Sequence, residues 1–444
     1  MSRRAPEQVL EALPAAARSL VDGVLAEAEA RGAAVHLVGG PVRDFLLGRP
    51  LRDVDLLVER AAWGGAPELA RAAAPPGARV VGHERFGTAK IEAAGAAVDL
   101  ASARAESYAR AGALPDVRAG TLEEDLARRD FSVNALALPL SSAARRARPG
   151  VVGPPGALAD LDAGVLRVLH PRSFHDDPTR ALRAARLAPR LGFRLARSSA
   201  GALRAALRDG AFGGVTGERF RAELEKLFDD ARLGLDPARA LRLLDAWHVL
   251  PALEPGLALP PSAATPLRRL GRAVAAPPFE LGGARVSLAG LMLWLAPLGA
   301  PLRRRVLRRL AVEGGAAQAI AAFPAQHVAL LRRLAAARGR GACDAALASV
   351  DPAALLAHWA AAPAPERRRV QRWAREDRAS APPVGGRDLL ALGLEGPAVG
   401  AALARLRAAW LDREVRSRDD ALALARELAG APPRPGRARG PRAR

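Results

Sequence analysis

The chain of 444 residues holds a single cysteine, Cys343. No disulfide can form within one chain, and a reducing compartment fits that usage. Lysine is almost as scarce: Lys90 and Lys226 are the only two among 67 basic residues, so the positive charge is carried almost wholly by arginine. Long apolar runs are missing too. The longest, 286–300, is too short to span a bilayer, contains Pro297, and reads as a buried helix. The first twenty residues have no sustained apolar core of signal-peptide type, and the expected compartment is the cytoplasm. The seven histidines show no metal-ligand spacing, and His175-Asp176 is not followed by a second His/Asp set. That excludes a metal-dependent phosphohydrolase of that type, and no credible Ser/His/Asp arrangement supports a hydrolase triad.

What is present is ordinary globular composition with an unusual charge. Half the residues are hydrophobic and 25% are charged, enough for two to four domains around substantial cores. The net charge of +21 favours a polyanionic partner, nucleic acid first.

The most informative stretch is 35–58, VHLVGGPVRDFLLGRPLRDVDLLV. The apolar run Val35-His36-Leu37-Val38 reads as a buried strand that stops at Gly39-Gly40. A glycine pair after a strand lets backbone N–H groups approach a bound group, and a helix start there suits anions. Arg43 falls just inside that helix, so Gly40 and Arg43 are candidates to steady phosphates. A second strand is expected over 52–59, projecting Asp53 and Asp55 from one face. Adjacent carboxylates repel and call for a cation. Hard oxygen ligands in small number suit Mg²⁺ with phosphates completing its shell, and the combination points to two-metal nucleotidyl transfer.

Further strands are expected at 79–81, 88–92 and 96–100, with helices at 7–31 and 61–76, giving a mixed sheet with helices on it. Asp99 lies on the last of these strands. Residues 121–138 carry apolar contacts around the charged knot Arg128-Arg129-Asp130, which as local structure reads as a solvated helix face. Residues 139–157 are rich in Pro and Gly and read as a loop ending the first domain. Asp177 before Pro178 reads as a helix cap, and Arg180, Arg183 and Arg186 recur every three residues, within a third of the helix circumference. An arginine stripe at a helix opening suits a triphosphate and base. Beyond residue 230 the pattern is almost all helical, and 431–444 is Pro/Gly/Arg-rich and expected to be disordered.

GGPVRD followed by DVD, RRDFSVNA and DDPTRALRAARL together resemble the class II tRNA nucleotidyltransferases, the CCA-adding enzymes, and their bacterial poly(A) polymerase relatives. The resemblance implies an α+β chain: a nucleotidyltransferase-type mixed-sheet head (1–145), an all-α neck that recognises the base (146–235), a helical body (236–380), an RNA-binding helical tail (381–430) and a basic end (431–444). It implies transfer from CTP and ATP to the 3′ end of tRNA with Mg²⁺ held by Asp53 and Asp55. Asp99 then lies near the metal pair, where the family often has Glu. Arg129 contacts the nucleotide, and Asp130 lies near the ribose. Asp177 and Arg180 read the incoming base, with Arg183 and Arg186 lining the site. Departures are Asp176 for Glu, Leu187 for Phe, and Pro189, which should kink its helix. Addition of CC alone, A alone or poly(A) shares these blocks. So would an RNA-binding protein without catalysis, although the intact Asp53, Asp55 and Arg129 argue against that. A small-molecule nucleotidyltransferase is disfavoured by the long basic helical half.

Overall fold

The four residues after Ala34, three of them apolar with His36 between, are buried and form β1 (Val35–Val38). In a computed structural model that describes residues 6–59, 64–107, 112, 116–277, 280 and 283–430, this strand sits inside a six-stranded sheet. Helix α1 (Ala15–Arg31) precedes it. The helix expected over 7–31 is broken: a 3₁₀ turn covers Pro6–Val9 and Pro14 caps α1. After Gly39 comes α2 (Gly40–Leu46), then β2 (Asp55–Val58), α3 (Ala66–Ala73), β3 (Arg79–His83), β4 (Thr88–Ala93) and β5 (Ala96–Ser102). The hairpin β6 (Arg104–Ser107) and β7 (Asp116–Ala119), helix α4 (Leu122–Ala127) and β8 (Ala137–Pro139) follow. The sheet order is β3-β4-β5-β2-β1-β8, with β2 and β5 parallel and the other neighbours antiparallel.

Alternation along β4 and β5 decides which face is which. Ala89, Ile91, Val98 and Leu100 are buried, and α1 and α3 pack on these two strands. Thr88, Lys90 and Asp99 therefore take the opposite face. The tight turn Ala94-Gly95, both residues at positive φ, fixes the pairing of β4 with β5.

Four expectations need correction. β2 begins at Asp55, so Asp53 lies on the approach to the strand rather than within it. Arg128, Arg129 and Asp130 lie just past the end of α4, not on a helix face. Residues 139–157 are not all loop: Ser141 caps α5 (Ser142–Ala147), its hydroxyl accepting from Ala144 N. The helix expected at 61–76 spans Ala66–Ala73, and residues 61–63 of it lie outside the described residues, as does the basic end 431–444.

Helix α6 (Ala157–Ala163), the short parallel pair Val165–Leu166 and Arg194–Leu195, α7 (Ser173–Asp176) and α8 (Thr179–Leu191) complete the part that matters for the site. Helix α8 continues through Pro189 to Leu191 and ends at left-handed Gly192. All of this lies in one compact unit, residues 1–223 with 243–255.

The second unit, 224–242 with 256–444, is helical wherever it has regular structure among the described residues. The apolar run at 286 forms the buried helix Val286–Leu295. Gly290 is required there, since a Cβ would lie 2.3 Å from a ring carbon of Phe228. Asp344 joins neighbouring helices by accepting from Arg407 and from Trp373 Nε1. At the Gly385 turn, Asp388 Oδ2 already accepts the Gly385 N–H at 2.9 Å, as a tight helix-opening turn requires. No helix among the described residues is long and apolar enough to cross a membrane.

Candidate active site

Gly39 turns the chain from β1 into α2 with φ 76° and ψ −133°. That conformation is closed to side-chain-bearing residues at low energy. A second constraint acts at the same point: a Cβ on Gly39 would lie 2.8 Å from Arg129 Nη1. Gly40 has no such constraint, its Cβ position being an ordinary 3.5 Å from Arg43 Nη2. Gly39→Ala should therefore cost about 1–3 kcal/mol in stability and raise the nucleotide KM by about tenfold by displacing Arg129. Gly40→Ala should do much less of either. Thermal melts and steady-state kinetics on the two variants check this.

Arg43 is buried, and burial pushes its guanidinium pKa down against the opposing pull of Asp44. It donates to Asp44 Oδ1 at 2.9 Å and to Asn134 Oδ1 at 2.5 Å. Asn134 in turn donates to Asp130 Oδ1 at 3.0 Å. Asp130 also accepts from the Phe131 N–H at 2.8 Å. Its Oδ2 lies 2.8 Å from Arg183 Nη2, an ion pair without hydrogen-bond geometry. Burial raises the Asp130 pKa, but Arg183, Asn134, Arg180 and the Phe131 N–H outweigh it and hold the carboxyl below the usual range. Asp130 is thus an ionised anchor between the turn and α8.

Arg129 is held by Asp125. The Asp125 carboxylate is fully buried, with Oδ2 accepting from Arg129 at 2.9 and 3.2 Å and Oδ1 accepting from Arg128 at 2.5 and 3.0 Å. The knot is thus no solvated helix face but a clasp of two partly buried arginines on one buried acid. Arg129 projects into a cavity of about 470 Å³ that Asp55, Lys90 and Asp99 also line.

The acids meet through the sheet register. Asp55 on β2 stands opposite Asp99 on β5, and Asp99 stands opposite Lys90 on β4. Lys90 Nζ lies 3.3 Å from Asp99 Oδ1. Neither Asp53 nor Asp55 has a side-chain hydrogen-bond or ion-pair partner among the described residues. Burial first, then Asp99 and Asp53, push the Asp55 carboxyl up to about 6, with Arg129 and Lys90 pulling the other way. No three His, Cys, Asp or Glu residues converge as a metal cage among the described residues.

The expected arginine stripe does not stay together. Arg180 is buried, donating from Nη2 to the Arg128 carbonyl at 2.7 Å and from Nη1 to Ser173. Arg183 is exposed along the helix and pairs with Asp130, while Arg186 pairs with Glu223 at 3.4 Å. Asp177 caps α8: Oδ1 accepts from Thr179 N at 3.0 Å and Thr179 Oγ1 at 2.6 Å, and from Arg219 Nη2 at 2.8 Å. Its Oδ2 has no partner among the described residues.

Asp125, Lys90 and Arg219 are the residues that sequence reasoning missed as parts of this constellation. The signals existed: Asp125 is three and four residues before two arginines, and a two-residue turn at Ala94-Gly95 places Lys90 opposite Asp99.

Comparison with known proteins follows the same outline. Residues 35–167 match the family profile of the Poly A polymerase head domain. An A-adding tRNA nucleotidyltransferase from Halalkalibacterium halodurans is 40% identical over 240 residues, covering 53% of each chain. A CC-adding tRNA nucleotidyltransferase from Deinococcus radiodurans is 34% identical over 401 residues, 90% of each chain. The solved structure of the Thermotoga maritima CCA-adding enzyme complexed with tRNA superposes with a TM-score of 0.69 at 26% identity, covering 97% of this chain and 99% of that one. The chain spans between a quarter and about half the length of the first curated relatives it matches.

Proposed function

Since this chain belongs to the class II tRNA nucleotidyltransferase family, we propose that it adds nucleotides without a template to the 3′ end of tRNA, using CTP and ATP and releasing pyrophosphate. One observation carries this: Asp55, Asp99 and Arg129 line a single cavity, with the Arg129 guanidinium packed on the Gly39 turn.

Asp53 and Asp55 fit a hard divalent cation. They offer only carboxylate oxygens and have no counter-ion of their own, and the charge on Asp55 is held at a cost until a cation arrives. Two protein carboxylates leave room for phosphate oxygens in the shell. Mg²⁺ bound there would acidify the primer 3′-hydroxyl and offset triphosphate charge. The chain's own residues do the rest. Arg129 faces the incoming phosphates, fixed in place by Asp125. Gly40 opens α2 next to the Gly39 turn, and Arg43, buried and locked by Asn134, steadies the phosphate side by bracing that turn rather than by lining the cavity. Asp130 holds Asn134 and Arg183 in register beside it. Attack of the 3′-hydroxyl on the α-phosphate then depends chiefly on positioning and charge neutralisation.

Base choice rests on Asp177. Cytosine and adenine both present an exocyclic amine beside a ring-nitrogen acceptor, and the open Oδ2 can accept from that amine. Uracil and guanine present a carbonyl there and face a like partner. Arg180 gives Nη1 to Ser173 and one Nη2 hydrogen to the Arg128 carbonyl, which leaves further N–H donors on the same guanidinium for the ring nitrogen; because the side chain is buried, recognition includes a local rearrangement. Asp177→Ala should reduce discrimination against UTP and GTP by at least about tenfold and cost about 1 kcal/mol through the lost cap. Single-nucleotide incorporation and thermal melts read both, and unchanged selectivity would remove Asp177 from this role.

A restricted enzyme, adding CC alone or A alone, is the second reading, because the two relatives above carry those names. Incubation with tRNA ending before CCA, tRNA ending after CC, and an unstructured RNA separates full CCA addition from each restricted activity and from poly(A) synthesis. Extension of none of the three would overturn the proposal.

A further inference from the structure

Asp99 lines the cavity directly cross-strand from Asp55, close to the Asp53–Asp55 pair, and yet no three-acid cage exists among the described residues. On the other side of Asp99 stands a cation. Lys90 is its partner on β4, and the ammonium reaches it at 3.3 Å on the cavity-lining face. Three strands thus set acid, acid and cation in one row. The residue type is also telling. This chain writes all but two of its 67 basic residues as arginine, and one of the two lysines stands here. An ammonium is a compact point charge with three donors, able to sit against a carboxylate as a small cation does. A guanidinium is a wide planar fork.

Resting on the reading of Asp53 and Asp55 as the metal pair, we propose that Lys90 is a positioning residue that holds Asp99 out of the metal shell and thereby sets the divalent-ion affinity of the site. With Lys90 in place, Asp99 is neutralised and turned toward β4, and the cation is held by two protein carboxylates. Without it, the row keeps two uncompensated acids, Asp55 and Asp99, with Asp53 just before β2, and a divalent ion gains a third carboxylate ligand.

The test is Mn²⁺ binding to the full chain without nucleotide, followed by electron paramagnetic resonance. Lys90→Met should tighten Mn²⁺ by about five- to tenfold, the effect expected of removing one charge a few ångströms from the ligands in a partly solvated site. Lys90→Arg, which keeps the charge but spreads it over a planar fork, should fall between the parent and Lys90→Met. The double variant Lys90→Met/Asp99→Asn should fall back toward the parent value, because the acid released by the first change is gone. Half-saturating Mg²⁺ for nucleotide addition should shift in the same direction. Parent-like or weaker Mn²⁺ binding by Lys90→Met overturns the inference. Asp55→Asn separates the two levels: if it binds Mn²⁺ as the parent does, the metal-pair reading itself fails. If it loses binding while Lys90→Met is unchanged, only the role of Lys90 fails.

Discussion

Asp55→Asn should reduce nucleotide addition by at least about a thousandfold, some 4 kcal/mol of barrier, while raising the melting temperature of the metal-free protein. The two effects have one origin. The Asp55 carboxyl is pushed up to about 6 from 3.8, by burial first and by Asp99 and Asp53 next. A carboxyl whose folded-state pKa exceeds its unfolded value retains its full stability contribution below the unfolded pKa and loses it as the pH rises through the folded pKa. The parent should therefore lose stability between about pH 4 and pH 6, and stay at that lower level above. Asparagine has the same shape and no charge, so the variant escapes the loss. The rise to about 6 corresponds to no more than about 3 kcal/mol, and the opening of the cavity to solvent reduces it to about 1–2 kcal/mol. The variant's advantage should be a few degrees above pH 6 and vanish by pH 4. Adding Mg²⁺ at pH 7.5 should reverse the order, stabilising the parent and leaving the variant unmoved. Calorimetry across pH, with and without Mg²⁺, decides this. A variant destabilised at pH 7.5 in chelator would show that Asp55 is instead satisfied by protein partners.

The head of the chain was legible because its signals are local and agree with one another. A short, mainly apolar run, a glycine pair and a two-acid stretch each point to the same strand–turn–helix–strand path. The expected strand began three residues early and so took in Asp53, since the pairing that defines β2 starts at Asp55 and nothing in LRDVD marks that point. The arginines of α8 show where periodicity runs out. A spacing of three keeps Arg180, Arg183 and Arg186 within a third of the helix, but where the core cuts into that third depends on neighbours outside the helix. Ser173 and the Arg128 carbonyl, which claim Arg180, supply that cut. The same applies to Asp125. In sequence it is one more acid on an amphipathic helix. In the fold its complete burial makes it the support of both arginines that follow. The helix at 142–147 was obscured for a different reason. The long window around it is rich in Pro and Gly, while the six residues after the Ser141 cap are Ser, Ala and Arg.

Asp125→Ala should be the most damaging change to the fold around the site, costing about 3–5 kcal/mol, because it removes the common anion from two partly buried guanidinium groups. Arg128 would keep Glu106 at 2.8 Å, while Arg129 would have no acid within contact. Its side chain now lies against the Gly39 turn with Nη1 near that backbone, and without Asp125 nothing directs it there. The nucleotide KM should rise by at least about tenfold as the melting temperature falls. Asp125→Asn, which keeps the volume and one acceptor oxygen, should fall between Ala and the parent in stability. Arg129→Met separates the two consequences. It removes the charge from the cavity while Asp125 stays paired with Arg128, so it should reproduce the KM defect with a far smaller loss of stability. If Arg129→Met melts as low as Asp125→Ala, the clasp is a structural unit in which both arginines count equally. If Asp125→Ala keeps the parent KM, Arg129 is positioned by its packing on Gly39 rather than by the carboxylate beneath it.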